Sequence, residues 1–290
     1  MMSSITGTLV GWVPPTRARY DTILKLWQTI MPSFASIQWL TKWNGMGKTS
    51  QPSMFNLPGR WAWFFMEIPG FLAVLYCMRT LPAQLGLVAL PWQNKLLGGL
   101  YVLHYLYRAV AFPFLQPSIN DMHILNASSA LLFQITNGVC LGSWLGGYGP
   151  VTQAQWAGHV SATQFVGGVV IFGLGLAGNY FHDEHLRDIR RRARAKQAKT
   201  ADGEKKAKRT YEIPQAGLFQ YLFYPHYLCE WVEWFGFWMA CGWGCAPARA
   251  FLVNEIFSML PRAVNGKAWY RDSFGEEKTK GKKAVLPGIL

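Results

Sequence analysis

Acidic residues are scarce in this chain. Only 15 Asp and Glu stand against 28 Lys and Arg in 290 residues, and charged side chains of every kind make up 15%, against about 25% in soluble domains. With 51% hydrophobic residues and 14 Trp, that shortage excludes an ordinary soluble protein and describes one built into a membrane. The mean hydropathy is only +0.09, because basic loops dilute the apolar spans. Cysteine is also sparse: Cys77, Cys140, Cys229, Cys241 and Cys245 are scattered in apolar sequence, so a disulfide scaffold is excluded. Cys241 and Cys245 share a helix face but have no histidine pair at zinc-ligand spacing nearby, and no metal is expected. No GxGxxG follows a strand-like run, which excludes a Rossmann site. Met1 to Thr16 lacks a charged stretch leading into an apolar one, so no cleavable signal peptide is expected. The chain has no internal repeat.

Apolar spans of about 20 residues, the length that crosses a hydrocarbon core of about 30 Å, fall near 22–41, 61–79, 97–115, 124–146, 159–180, 217–240 and 244–260. Breaks rich in Pro and Gly separate them. The expected fold is therefore an all-α integral membrane protein of about seven transmembrane helices. Arg187 to Arg209 holds eleven Lys and Arg and three acids. The absence of interleaved stacking aromatics argues against nucleic acid. The positive-inside rule makes this stretch cytoplasmic, which puts the N-terminus in the lumen and the C-terminus in the cytoplasm. Residues 147–158, on the opposite side, carry no Lys or Arg. Attraction to anionic membrane lipid is compatible with the basic loop. The whole chain, 1–290, reads as a single membrane domain, with 1–46 a variable part that includes the first span.

Charges inside the spans are costly and default to function. Glu67 interrupts the apolar run Trp61 to Tyr76; His104-Tyr105 and Arg108, and then Glu230 and Glu233, repeat the pattern. Structural ion-pair networks leave the same signature, but several such residues together are harder to explain that way. After the fifth span, Asn179, Asp183, Arg187 and Arg190 fall at i, i+4, i+8 and i+11, one polar stripe on a helix. Such a stripe suits ribose hydroxyls and phosphates, with Arg as the bidentate partner; a solvated helix exit has the same pattern. His182 and His185, at i and i+3, lack an apolar shell and a third ligand for a metal.

From about residue 47 to the end, the chain resembles the steroid 5α-reductase family, the 3-oxo-5α-steroid 4-dehydrogenases. Met66-Glu-Ile-Pro69 resembles the family's Gln-Glu-Leu-Pro, with Trp63 upstream. His104-Tyr-Leu-Tyr-Arg108 resembles His-Tyr-x-His-Arg. Asn179 to Arg190, Tyr211-Glu-Ile-Pro214, Tyr227 to Trp234 and Arg262 to Pro287 are similar to later motifs. The resemblance implies a seven-helix enzyme of the endoplasmic reticulum that binds NADPH on the cytoplasmic side through its C-terminal half, 147–290, and reduces a double bond conjugated to a ketone. By position, Glu67 and Tyr105 would hydrogen-bond the carbonyl of a steroid or lipid substrate. Asn179, Asp183, Arg187, Arg190, Tyr211, Glu230, Arg262 and Tyr270 would line the cofactor site, with Trp63, Arg108 and Asn137 nearby. His226 stands where the family has an Asn whose amide would meet the nicotinamide carboxamide.

Three further departures bear on the cofactor contacts: Asn265-Gly266-Lys267 replaces a His-rich stretch, Glu212 replaces an Arg, and the family's basic residue between the third and fourth spans is missing around Gln116 to Asp121. The long basic run before Tyr211 is expected to be partly disordered. Related readings are trans-2-enoyl-CoA reductase, polyprenol reductase, membrane methyltransferases and a non-catalytic lipid-binding protein. Met-Glu-Ile-Pro and His-Tyr-x-x-Arg favour the steroid branch. Nothing in the sequence indicates a protein partner.

Overall fold

A computed structural model describes residues 11–41, 45–47, 50–200 and 211–289. Among them seven helices have 14 or more residues: α1 (Arg17–Ser36), α2 (Gly59–Gln84), α3 (Trp92–Tyr105), α4 (Ile124–Ser143), α6 (Ala162–Thr200), α7 (Pro225–Cys241) and α8 (Ala246–Phe274). Three shorter ones, Phe112–Leu115, α5 (Gln153–His159) and α9 (Glu276–Thr279), join or follow them. Helices dominate because a chain in lipid must satisfy its backbone internally. The segments Gly59–Gln84, Ile124–Tyr148 and Ala162–Lys196 are long and apolar enough to cross a membrane. On α6, Val166, Val170 and Leu174 form an exposed i, i+4, i+8 stripe, as expected of a face toward lipid.

Several boundaries differ from the sequence expectation. The first helix begins at Arg17 and ends at Ser36, before a short 3-10 turn Ile37–Trp39. The span expected at 217–240 begins only at Pro225, which suits the first helical turn because it has no N–H to satisfy. The stretch before it is extended, with one 3-10 turn at Gly217–Gln220. The last helix continues to Phe274, with Pro261 inside it. Of the basic stretch expected to be partly disordered, α6 covers the part up to Thr200; residues 201–210 lie outside the described residues. A two-residue antiparallel pair, β1 (Asn56–Leu57) with β2 (Met122–His123), ties the chain before α2 to the chain before α4. Periodicity does not reveal strands this short.

Glycine sets the two tightest helix pairs. A methyl on Gly138 of α4 would stand 2.2 Å from the Gly70 carbonyl of α2, and one on Gly142 would stand 2.7 Å from the Val74 Cα. On α6, a methyl at Gly175 would meet the Glu233 backbone nitrogen of α7 at 2.3 Å, and one at Gly168 would meet that of Ala240 at 2.5 Å. Small residues at such spacing let backbones approach where lipid supplies no hydrophobic drive. The contact at Gly175 is the important one for the site, because it fixes Asn179 and Asp183, one and two turns on, against Glu230.

The C-terminal tail closes the other side. Lys283 N–H donates to the Tyr221 carbonyl (2.8 Å), and Phe223 and Tyr224 N–H donate back to Lys283 and Ala284 (both 2.9 Å). Lys282 Nζ donates to the Pro214 carbonyl (2.9 Å), Gln215 Oε1 (3.0 Å) and the Phe219 carbonyl (2.6 Å). Burial draws its ammonium below the usual lysine range. The tail thereby pins the extended segment that carries Tyr211.

Candidate functional site

Arg108 organises the interior. Its helix α3 runs into a π-helical turn, Leu106–Ala111, whose wider winding leaves a carbonyl without an i+4 partner. The Trp63 indole N–H donates to the Arg108 carbonyl at 3.0 Å. The guanidinium lies over Trp63 (5.2 Å) and Phe112 (4.8 Å). It donates to Asp183 Oδ2 at 3.4 Å and stands 3.5 Å from Glu230 Oε2. Asn179 Nδ2 donates to the same Glu230 oxygen (3.2 Å) and to the His226 carbonyl (3.0 Å). Three of the four stripe residues, Asn179, Asp183 and Arg187, are buried and face protein rather than solvent, while the fourth, Arg190, is exposed.

The network continues on both sides. His104 Nδ1 lies 2.8 Å from Glu233 Oε1, and its Nε2 lies 3.8 Å from Glu230. Tyr107 donates to Asp183 Oδ2 (3.2 Å) and accepts from Arg187 Nη1 (3.0 Å). Arg187 is wholly buried; its Nε donates to Glu184 (2.6 Å), and its Nη2 has no partner.

Above this floor opens a cleft of about 470 Å³, lined by Trp63, Gln116, Arg190, Arg194, Tyr211 and Tyr270 among others. Arg190 donates to Gln116 Oε1 at 2.6 Å. Tyr270 stacks on Phe223 at 4.7 Å, which fixes its ring at the cleft wall. Trp63 belongs to both levels: it lines the cleft and holds the Arg108 carbonyl, so the cleft lies directly against the buried network.

The second predicted group lies deeper. Glu67 Oε2 accepts from Gln134 Nε2. Tyr105 is 1% exposed and packs on Tyr101 (4.6 Å), His104 (4.9 Å) and Trp234 (6.3 Å). Asn137 Nδ2 donates to the Tyr101 hydroxyl at 3.0 Å, one helical turn before Tyr105.

Two predicted residues are placed differently from expectation. Arg262 is half-buried and its Nε donates to Gln38 Oε1 at 3.1 Å, tying α8 to the end of α1 rather than joining the Arg108 network. His226 meets Asn179 through its backbone carbonyl, while its ring packs on Tyr227 at 4.6 Å. His182 has a packing role as well. Its Nδ1–H donates to the Gly178 carbonyl (2.6 Å), and Nε2 accepts the Leu218 N–H (3.1 Å).

Sequence reasoning passed over Tyr107, Gln134 and Glu255. Gln134 and Glu255 carry the signal used for Glu67, a polar residue in an apolar helix. Tyr107 carries none, because its inward direction follows from the π-turn.

These features define a class: a predominantly helical protein with helices long and apolar enough to cross a membrane, holding a buried Arg–carboxylate–His network under a basic, aromatic cleft. A family model for 3-oxo-5-alpha-steroid 4-dehydrogenase matches residues 120–290. The chain is 34% identical to an uncharacterized protein of Schizosaccharomyces pombe, over 81% of this chain and 85% of that one. It is 31% identical to a steroid 5-alpha-reductase of Solanum lycopersicum, over 88% and 91%. It is 29% identical to 3-oxo-5-alpha-steroid 4-dehydrogenase 2 of Homo sapiens, over 90% and 94%. The chain belongs to the 3-oxo-5-alpha-steroid 4-dehydrogenase family, and with it to the oxidoreductases acting on CH–CH groups.

Proposed function

We propose that the protein reduces the 4,5 double bond of a 3-oxo-Δ4 steroid, or of a similar lipid enone, with NADPH. The observation that carries this reading is the convergence of Arg108, Asn179, Asp183, Arg187 and Glu230 into one buried network, with Trp63 bonded to Arg108 on one side and lining the cleft on the other. Relatives named steroid 5-alpha-reductase and 3-oxo-5-alpha-steroid 4-dehydrogenase support it.

The residues fit a dinucleotide phosphate. Arg187 keeps an unpartnered guanidinium nitrogen although it is fully buried, and a buried cationic donor calls for an anionic acceptor. Arg190 and Arg194 extend the positive wall, and Tyr211 and Tyr270 offer ring faces. In this reading Asn179, Asp183 and Glu230 take ribose or amide hydrogen bonds, with Trp63 at the junction. Asn137, Arg262 and His226 act from farther off, through the contacts already described.

The bound cofactor supplies a hydride. Tyr105 aims its hydroxyl at the substrate carbonyl oxygen, where charge gathers as the β-carbon is reduced, and so stabilises the enolate. Glu67, in its carboxylic acid form, donates a second hydrogen bond to that oxygen; Gln134 orients it. The aromatic shell of Tyr101, Trp234 and Phe251 excludes water.

The same reading gives one membrane domain with seven spans formed by α1–α4 and α6–α8, a lumenal N-terminus and a cytoplasmic C-terminus, in the endoplasmic reticulum. The Lys and Arg beyond α6 then face the cytoplasm, where NADPH is supplied. Residues 147–290 form most of the cofactor half, completed by Trp63, Tyr107 and Arg108.

The test is to incubate membranes containing the protein with NADPH and a 3-oxo-Δ4 steroid, beside a Glu67→Gln control, and follow mass. A product heavier by two hydrogens, lost in the control, is expected. No product in the presence of bound NADPH would overturn the substrate; absence of NADPH binding would overturn the reductase reading.

A further inference from the structure

The last turns of α8 and the tail behind them enclose a second cavity, of about 490 Å³, that shares no lining residue with the cleft. Val264, Lys267, Ala268 and Arg271 fall at i, i+3, i+4 and i+7, one face of the helix. Glu276 and the stretch Thr279–Lys283 form the opposite wall. Gly275 (φ +87°) and Gly281 (φ +88°) let the chain turn back against α8. The wall is cationic: Lys267, Arg271, Lys280 and Lys283 stand against a single acid, Glu276. The ammonium groups of Lys267, Lys280 and Lys283 make no hydrogen bond or ion pair among the described residues. Arg271 leans on exposed Asp272 at 3.4 Å and 3.5 Å. Lys282 is different, because its ammonium turns away to oxygens of Pro214, Gln215 and Phe219.

Like charges gathered around one space repel one another and raise its positive potential, which an anion relieves. The volume exceeds what a bare inorganic ion fills and lies in the range of pockets for small organic molecules, about 300–1,000 Å³. The place of the cavity narrows the source. α8 has 29 residues, about 44 Å at 1.5 Å per residue, against a hydrocarbon core of about 30 Å. In the topology proposed above, its last turns, with Lys267 and Arg271, stand in the cytoplasmic headgroup layer, where basic pockets at helix ends meet lipid phosphates. We propose that this cavity is a binding site for an organic phosphate monoester, presented by the headgroup of an anionic lipid. The site uses no nicotinamide chemistry, so it stands or falls apart from the reductase reading. The tail that lines it also pins the segment carrying Tyr211, so an occupant that ties α8 to the tail holds that segment in place as well.

The experiment places the full chain in phosphatidylcholine nanodiscs and titrates a fluorescent short-chain phosphatidylinositol phosphate, beside phosphatidylinositol, which lacks the monoester. One variant pair, Lys267→Gln with Lys280→Gln, removes two charges from the cavity. A control pair, Arg192→Gln with Lys278→Gln, removes the same charge from exposed positions outside it. Saturable binding of the phosphorylated lipid alone is expected. The cavity pair should weaken it about tenfold or more, the order set by two lysines at an anionic surface, and the control pair by less than about twofold. Melting temperatures without the lipid should match the wild type in both pairs, since none of these side chains bonds to the fold. Should the cavity pair fold poorly, Lys280→Gln alone, on the exposed tail, is read by the same ratio. Equal binding of phosphatidylinositol, equal losses in the two pairs, or no binding overturns the site and leaves only general surface charge. Soluble inositol phosphate and inorganic phosphate serve as competitors. Weak displacement by both supports the lipid, and displacement by inositol phosphate as strong as by the lipid overturns the lipid as the source.

Discussion

The Tyr224 hydroxyl rests on the α-carbon of Gly266: a methyl there would stand 1.7 Å from the oxygen and 2.4 Å from Cζ. The sequence marks Gly266 as a departure from the family pattern, and the structure gives that departure a packing reason. Tyr224 continues into Tyr227 at 5.1 Å and His226 at 5.6 Å, the stack at the start of α7. Gly266→Ala should therefore destabilise by about 1–3 kcal/mol, the usual range for overpacking. Thermal unfolding in detergent measures it, and Tyr224→Leu in the same chain should recover most of the loss. An unchanged melting temperature would mean that the ring swings aside freely.

Gly175 and Gly173 make a matched pair on one helix. Gly175 touches the α7 backbone, while a methyl on Gly173 meets nothing within 4 Å. Gly175→Val should push α6 from α7, displace Asn179 and Asp183 from Glu230, and weaken NADPH binding about tenfold or more, a displacement of the size that is costly at organised sites. Gly173→Val should bind as the wild type does. Fluorescence titration of NADPH into the purified variants separates the two.

Arg108 neutralises two buried acids at once. Arg108→Leu should cost about 3–5 kcal/mol, since removing one partner strands the others. Adding Asp183→Asn should return part of that loss, because contacting residues couple. Denaturation of the single and double variants gives the coupling; strict additivity would remove Asp183 as the partner that matters.

Tyr105→Phe keeps the ring packing against Tyr101 and His104 and removes only the hydroxyl. Turnover should fall at least about tenfold, the lower end for losing one donor to a developing oxyanion, with NADPH affinity unchanged. Equal turnover would take Tyr105 out of the chemistry.

The helical fold could be read from the sequence because apolar runs of span length have few alternatives in lipid. Boundaries were misread where a polar face belongs to a buried helix, as at Asp183 and Arg187. They were also misread where an apolar run is not helical, as before Pro225. The pairing of Arg108 with Asp183 and Glu230 joins residues 75 and 122 positions apart, and no local periodicity specifies it. Glu255 was legible by the same criterion as Glu67, but it lies in a stretch broken by Gly244 and Pro247, where span counting is weakest. The roles of Trp63 and Tyr107 required the winding of α3, which composition does not disclose.

The π-turn at Leu106–Ala111 amounts to one extra residue in an otherwise ordinary helix. Deleting any single residue there would give a more regular helix, with every backbone bond in its usual register. Where the deleted residue lies between them, as Leu106 does, Tyr105 and Arg108 would rotate relative to each other by about 100°, so that no repacking of neighbours could bring both back to their partners. In this helix, perfection of the secondary structure and possession of the site are mutually exclusive.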